Sequence, residues 1–130
     1  MIRFLNDLEV LLILQNQIDL YGGMYGVRDV NLLNSAIATV EATFENEYLH
    51  RSIPEMAAAY CYHICKNHPF MDGNKRTALA TALVFIELNN YCLVCSEEQL
   101  YNVVAKVAKS EIAKKELIEF FEKNCYKKSK

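Results

Sequence analysis

The sequence predicts an all-α domain, and three observations carry that prediction. Apolar residues recur at three- and four-residue spacing along most of the chain, helix-capping residues stand ahead of most of these runs, and no segment alternates long enough to read as a convincing sheet. The expected architecture is a compact single-domain bundle of six or more helices packed around one central apolar helix.

The first helix opens at Asn6, with Glu9 three residues on as in a capping box, and Leu8, Leu11, Leu12 and Ile18 keep helical spacing until Gly22-Gly23 ends it. After a glycine-rich turn through Gly26, Asp29 caps a second helix with Leu32, Leu33, Ala36, Ile37, Val40 and Phe44 on one stripe. Glu45 to Ile53 has no helical period and reads as a loop or a short hairpin. Ser52 and Glu55 bracket Pro54 at the start of a third helix running to Asn67, where proline costs little because its amide would be unpaired. Thr77 to about Asn89 is apolar on nearly all sides and is the expected central helix. Ser96 caps a fifth helix to about Lys109, and Ser110 a sixth to about Asn124.

With 130 residues and 52% hydrophobic content, the chain can bury a core without disulfide or metal staples. It reads as one domain, residues 1–125, followed by a basic tail, 126–130. Fourteen Lys and Arg against sixteen Asp and Glu give a net charge of -2, so no global field favours nucleic acid or an anionic membrane. Neither is expected as a partner. The run Leu8 to Leu14 is interrupted by Glu9 and preceded by Asp7, unlike a signal peptide, and no apolar stretch approaches the ~20 residues needed to span a bilayer. A cytoplasmic protein is expected, in which five cysteines, an odd number, stay reduced.

One segment concentrates chemistry. His68-Pro69-Phe70-Met71-Asp72-Gly73-Asn74-Lys75-Arg76 lies between two predicted helices and feeds the N-terminus of the second, a natural anion site. Gly73 permits a tight turn, and the amides of Gly73, Asn74 and Lys75 are candidate phosphate donors. Asp72 is a hard oxygen ligand suited to magnesium. Lys75 and Arg76 can neutralise a polyphosphate, Arg76 through a bidentate fork. His68 belongs to the residue type that exchanges protons near neutrality, as abstraction from a hydroxyl requires.

Each residue also has a plain structural reading. A histidine at a helix C-terminus can serve the helix dipole, Asp-Gly is an ordinary turn dipeptide, and adjacent cations are commonly a solvated face. The plain reading needs separate explanations for every position; the phosphate reading needs one.

HPFMDGNKR resembles the signature of the Fic/Doc superfamily, written HPFx(D/E)GNGRxxR in the Fic branch and ending NKRTAL in the death-on-curing (Doc) branch. Tyr21-Gly22-Gly23 with Gly26, the Leu32-Leu33 helix, Ala57 to Tyr60, and Val84-Phe85 to Asn89 with Tyr91 also resemble Doc-type sequences. The resemblance implies ATP as co-substrate, Mg2+ held by Asp72, and His68 as general base on a hydroxyl of a target protein. It also implies an anion loop of Gly73, Asn74 and Lys75, phosphate held by Arg76, Phe70 as a buried anchor, and Glu45 to Ile53 as a flap that aligns the target.

Two departures from the Fic pattern separate chemistries. Lys75 replaces the second loop glycine and Leu79 replaces the second arginine, and both match the Doc branch. The resemblance therefore implies a toxin that presents the γ-phosphate for in-line attack, as a protein kinase does, with translation elongation factor Tu as a candidate target. An AMP-transferase of Fic type and a non-catalytic nucleotide-binding or interaction module are the alternatives. Fic enzymes are commonly restrained by an (S/T)xxxE(G/N) helix. Thr43 to Glu47 comes nearest, but Tyr48 follows and Leu79 offers no arginine, so a separate antitoxin partner is implied instead.

Cys92 and Cys95 form a CxxC, and Cys61 and Cys65 flank His63 one helical turn apart. Neither pair has a partner pair at zinc-finger spacing or a βαβ setting for redox chemistry, so buried thiols are the favoured reading.

Overall fold

The computed structural model describes residues 1–129. It contains six helices: α1 Asp7–Tyr21, α2 Val30–Glu41, α3 Ile53–Asn67, α4 Asn74–Leu88, α5 Glu97–Ala108 and α6 Lys114–Asn124. Four very short strands join them, β1 Thr43–Phe44 with β2 Glu47–Tyr48, and β3 Tyr91–Leu93 with β4 Cys125–Lys127, each pair antiparallel. The all-α bundle expected from periodicity is the fold found. Among the described residues no helix is long and apolar enough to cross a membrane.

Local capping explains most helix starts. Asn6 and Glu9 form a reciprocal capping box on α1, the Asp29 carboxylate accepts from Asn31 N–H and Leu32 N–H at the head of α2, and Ser52 accepts from Glu55 N–H on α3. Ser96 and Gln99 make a second box on α5. The sixth helix starts later than expected. Ser110 is in the left-handed region (φ 59°) and donates its N–H to Val107, closing α5, whereas Ala113 begins α6 with its N–H held by Glu116.

Two helices share the centre. α3 packs against α2, α4, α5 and α6, and α4 packs against α1, α3, α5 and β3. The face Met56, Ala57, Ala59, Tyr60, Ile64 of α3 meets Ala78, Ala82, Phe85 and Ile86 of α4 in the core. Small residues on α3 allow a close approach, and Tyr60 and Phe85 fill the remaining space with ring centroids 5.0 Å apart. Burial raises the Tyr60 phenol to about 12, and its oxygen accepts from Leu5 N–H at 3.0 Å, which pins the N-terminal segment onto α3.

The β1–β2 hairpin turns through Glu45 (φ 52°) and Asn46 (φ 66°), the two positive-φ positions of a type I′ turn. It precedes the N-terminus of α3, whereas His68 caps the C-terminus. Fifteen helical residues separate the two, roughly 22 Å at 1.5 Å per residue. Tyr48 packs on Phe4, which stacks on Phe85 near the far end of α4. The hairpin therefore does not sit beside the HPFMDGNKR loop, and the expected flap position of Glu45 to Ile53 is corrected. Of the basic C-terminal stretch, Tyr126 and Lys127 lie in β4, Lys128 pairs with Glu87, and Lys130 lies outside the described residues.

Candidate active site

The HPFMDGNKR segment is stitched down on both sides. Pro69 O accepts from Arg28 N–H (2.7 Å) and Asp29 N–H (3.1 Å), and Met71 N–H donates to Gly26 O (2.9 Å), so Val27 and Phe70 pair as an antiparallel bridge. Phe70 is fully buried, as an anchor should be. Its own N–H and O are taken by the carboxamide of Asn74, at 2.9 and 3.0 Å. Pro69 O, Phe70 N–H, Phe70 O and Met71 N–H, which the tight loop would otherwise strand, thus all have partners.

Asn74 begins α4, three residues before the expected start at Thr77. Gly73, at φ 76°, is the N-cap and has no side chain to cap with, so no side-chain hydrogen bond closes the helix mouth. Thr77 N–H is the first to find a helical partner, Gly73 O at 2.9 Å. The amides of Asn74, Lys75 and Arg76 form the uncapped first turn, an anion cradle supported by the helix dipole. The Asn74 side chain faces inward, so its part in any anion site is confined to its N–H. A Cβ at Gly73 would press on Ile18 Cδ1 at 3.3 Å, because α1 packs directly beneath the turn.

Asp72 is exposed and fixed by one oxygen, Oδ2, which accepts Met24 N–H at 2.7 Å. Gly23 sits against the same carboxylate: a Cβ there would lie 3.1 Å from Asp72 Cβ. The second oxygen is left for a ligand. One oriented carboxylate beside an anion cradle fits magnesium, which takes few protein ligands and completes its shell with water and phosphate oxygens. Among the described residues no group of three or more His, Cys, Asp or Glu could hold a metal by itself.

His68 is the C-cap of α3 in the left-handed conformation (φ 51°, ψ 54°), with its N–H on Ile64 O at 3.1 Å. The Arg28 guanidinium holds the end of this helix, Nε donating to His68 O (2.8 Å) and Nη2 to Asn67 O (3.1 Å). This reverses the helix direction sharply and exposes the imidazole. His68, Asp72, Gly73, Asn74, Lys75 and Arg76 all line one cavity of about 600 Å3, within the usual size range of a small-molecule site. Leu79 and the α5 residues Tyr101, Val104, Ala105 and Ala108 form its apolar wall. Arg76 also stacks on Tyr21, its guanidinium carbon 4.7 Å from the ring centroid.

The structure thus gathers every candidate residue named from the motif into one place. It adds Arg28, the Met24 amide, Tyr21 and the α5 wall, none of which the motif signals. Tyr21-Gly22-Gly23 with Gly26 was visible as a pattern, but its pairing with the loop is a tertiary fact. Of the cysteines only Cys65 borders this cavity: Cys61, Cys65 and Cys125 are buried as expected, Cys92 and Cys95 are half-buried instead, and burial pushes the Cys61 and Cys65 thiols up and that of Cys125 to about 11. Low-pKa nucleophiles they are not.

A second polar group lies outside this cavity, made by His50 just before α3 and His63 within that helix. His50 is buried, its Nε2 2.8 Å from Lys114 Nζ, and His63 on α3 is held neutral by burial, its pKa lowered to about 4.

Comparison with known proteins fits this geometry. The Fic/DOC family model matches residues 4–86, which spans α1 through most of α4 and includes the whole loop. "Toxin Doc" of Mycolicibacterium smegmatis is 37% identical over 90 residues, covering 65% of this chain and 69% of the relative. "Protein kinase doc" of Escherichia phage P1 is 31% identical over 111 residues, covering 85% of this chain and 86% of the relative. A matched family domain, with the loop it contains held at the mouth of α4 beside His68, leaves one assignment: this chain belongs to the Fic/DOC family, and its type is death-on-curing.

Proposed function

We propose that the protein is a Doc-like toxin that transfers the γ-phosphate of ATP to a hydroxyl side chain of a target protein. The observation that carries this reading is the uncapped first turn of α4 sharing a cavity with the exposed imidazole of His68. The relative named as a protein kinase supports it, at 31% identity over most of both chains.

The residues divide the work by chemistry. The N–H groups of Asn74, Lys75 and Arg76 receive the γ-phosphate oxygens, and the cations of Lys75 and Arg76 offset polyphosphate charge. Asp72, held by Met24 N–H, is the protein ligand for Mg2+, which when bound neutralises phosphate charge. His68 takes the proton of the target hydroxyl as its oxygen attacks the γ-phosphorus in line. The new O–P bond replaces the bond to the β,γ-bridging oxygen, and ADP leaves with that electron pair. Left-handed backbone at His68, fixed by Arg28, keeps the base at the cavity mouth.

Lys75 and Leu79 argue against AMP transfer. Lys75 places a β-carbon and charged stem at the loop, and Leu79 supplies no second arginine to clamp a γ-phosphate. Self-restraint is also disfavoured, because Thr43 to Glu47, the nearest match to an inhibitory helix, forms the hairpin near the opposite end of α3. A separate antitoxin partner follows from this, and translation elongation factor Tu is the leading target. With the flap position vacated by that hairpin, the segment Gly22 to Arg28 is the one beside the loop, and it is the part that aligns the target.

The test is label transfer in cell lysate. Label from γ-labelled ATP passes to a lysate protein, α-label does not, and His68→Ala abolishes transfer; transfer of α-label instead would establish AMP transfer.

A further inference from the structure

We infer that Tyr101 and Leu79 form the subsite for the nucleoside base of the nucleotide, with the Tyr101 ring as the stacking face. The inference rests on the proposed nucleotide reading and deepens it, because the loop accounts only for phosphates.

The cavity is polar at one end and apolar at the other. His68, Asp72, Lys75 and Arg76 occupy the loop end, whereas Leu79 on α4 and Tyr101, Val104, Ala105 and Ala108 on α5 form the opposite wall. Beyond that wall lies a smaller hollow of about 190 Å3, and the two spaces share Arg76, Leu79 and Tyr101. A groove therefore leads from the anion cradle past Arg76 and between Leu79 and Tyr101. Phosphates placed on the α4 amides direct the nucleoside along it.

Two tyrosines border this path, and they differ in what they already hold. One face of the Tyr21 ring is taken by the Arg76 guanidinium. Tyr101 is 48% exposed and, among the described residues, makes no side-chain hydrogen bond, no ring pair and no cation contact. An aromatic ring left in this state on the rim of an apolar wall is an available platform for a planar base. Leu79 takes on a second meaning here: in place of an arginine, it provides the apolar floor opposite that ring. Tyr101 is a binding residue in this account and takes no part in proton or phosphoryl transfer.

Calorimetry with Mg2+ tests this, comparing ATP with inorganic tripolyphosphate on wild type, Tyr101→Ala and Tyr101→Phe. Tyr101 is exposed on α5, so neither substitution removes core packing. Tyr101→Ala weakens ATP about tenfold or more, as loss of a base stack does. It leaves tripolyphosphate affinity unchanged, and Tyr101→Phe restores ATP binding. Tyr101→Ala binding ATP as wild type does, or losing ATP and tripolyphosphate equally, overturns the subsite. Wild type that binds tripolyphosphate as tightly as ATP overturns the subsite alone, whereas wild type that binds neither overturns the nucleotide reading beneath it.

Discussion

The Asn74 carboxamide grips Phe70 by both backbone polar atoms, accepting its N–H at 2.9 Å and donating to its carbonyl at 3.0 Å. Both residues are buried, so this ring of hydrogen bonds sets the loop's shape where water cannot. Asn74→Ala strands two backbone groups, each at about 1–3 kcal/mol, so a stability loss of roughly 2–6 kcal/mol is expected. Thermal unfolding measures it. Asn74→Asp keeps the acceptor and loses the donor, and falls between the two. A Tm for Asn74→Ala within a degree or so of wild type contradicts this role.

Gly23 is required by two independent constraints. Its φ of 112° disfavours any side chain, and an added Cβ would meet Asp72 Cβ at 3.1 Å and Ile18 Cδ1 at 3.2 Å. Gly23→Ala is expected to cost on the order of 1–3 kcal/mol through strain. It also displaces Asp72 from its hydrogen bond to Met24, so the magnesium concentration for half-maximal transfer rises several-fold, roughly the effect of losing one oriented ligand contact. Gly22 separates strain from contact: its φ of 86° also disfavours a side chain, but a Cβ there meets nothing, so Gly22→Ala loses stability and leaves the magnesium titration unchanged.

Arg28 acts through His68. Its guanidinium spans the carbonyls of Asn67 and His68, so Arg28→Ala releases the cap that turns the imidazole outward. We expect kcat to fall about tenfold or more, as a misplaced base does, with KM for ATP little changed. Arg28→Lys restores little, since one ammonium does not reproduce the planar fork. A fall in affinity for ATP with unchanged kcat argues against the positioning role.

Two histidines outside the cavity, His50 before α3 and His63 within that helix, tie stability to pH. His63 is neutral in the folded protein, lowered by burial and then by Lys114 and His50, from an ordinary 6.5 to about 4. His50 is lowered by the same causes, burial first and then Lys114, opposed by the nearby Glu55. Above about pH 6.5 both states carry neutral His63 and its burial costs nothing extra. Between about 6.5 and 4 the unfolded chain binds a proton that the folded chain refuses, so stability falls as pH falls. Melting curves from pH 7 to 4.5 should show a declining Tm, with a shallower decline in His63→Gln. An unchanged slope in that variant refutes the assignment.

The sequence was informative wherever the cause of structure is local. Asn6, Asp29, Ser52 and Ser96 cap the helices they precede, because a cap is decided within four residues. The start of α4 was misplaced because Gly73 caps by conformation and leaves no polar side chain as a marker. Ser110 looked like a cap but serves the end of α5 instead. The β3–β4 pairing joins segments over thirty residues apart, each three residues long, too short for an alternating pattern to register. The loop was legible because its chemistry is contiguous. Arg28, Met24 and Tyr101 were not, since each reaches the site only through packing, and the flap was misassigned because distance along α3 is invisible to a motif.

The central claim is that His68 directs a phosphoryl group, and nothing larger, onto a target hydroxyl. Intact-mass and peptide mass spectrometry of the modified lysate protein tests it most directly. The account predicts a single phosphoryl adduct on a hydroxyl side chain, removed by phosphatase and absent with His68→Ala. An AMP adduct, or the same phosphoryl adduct made by His68→Ala, would contradict it.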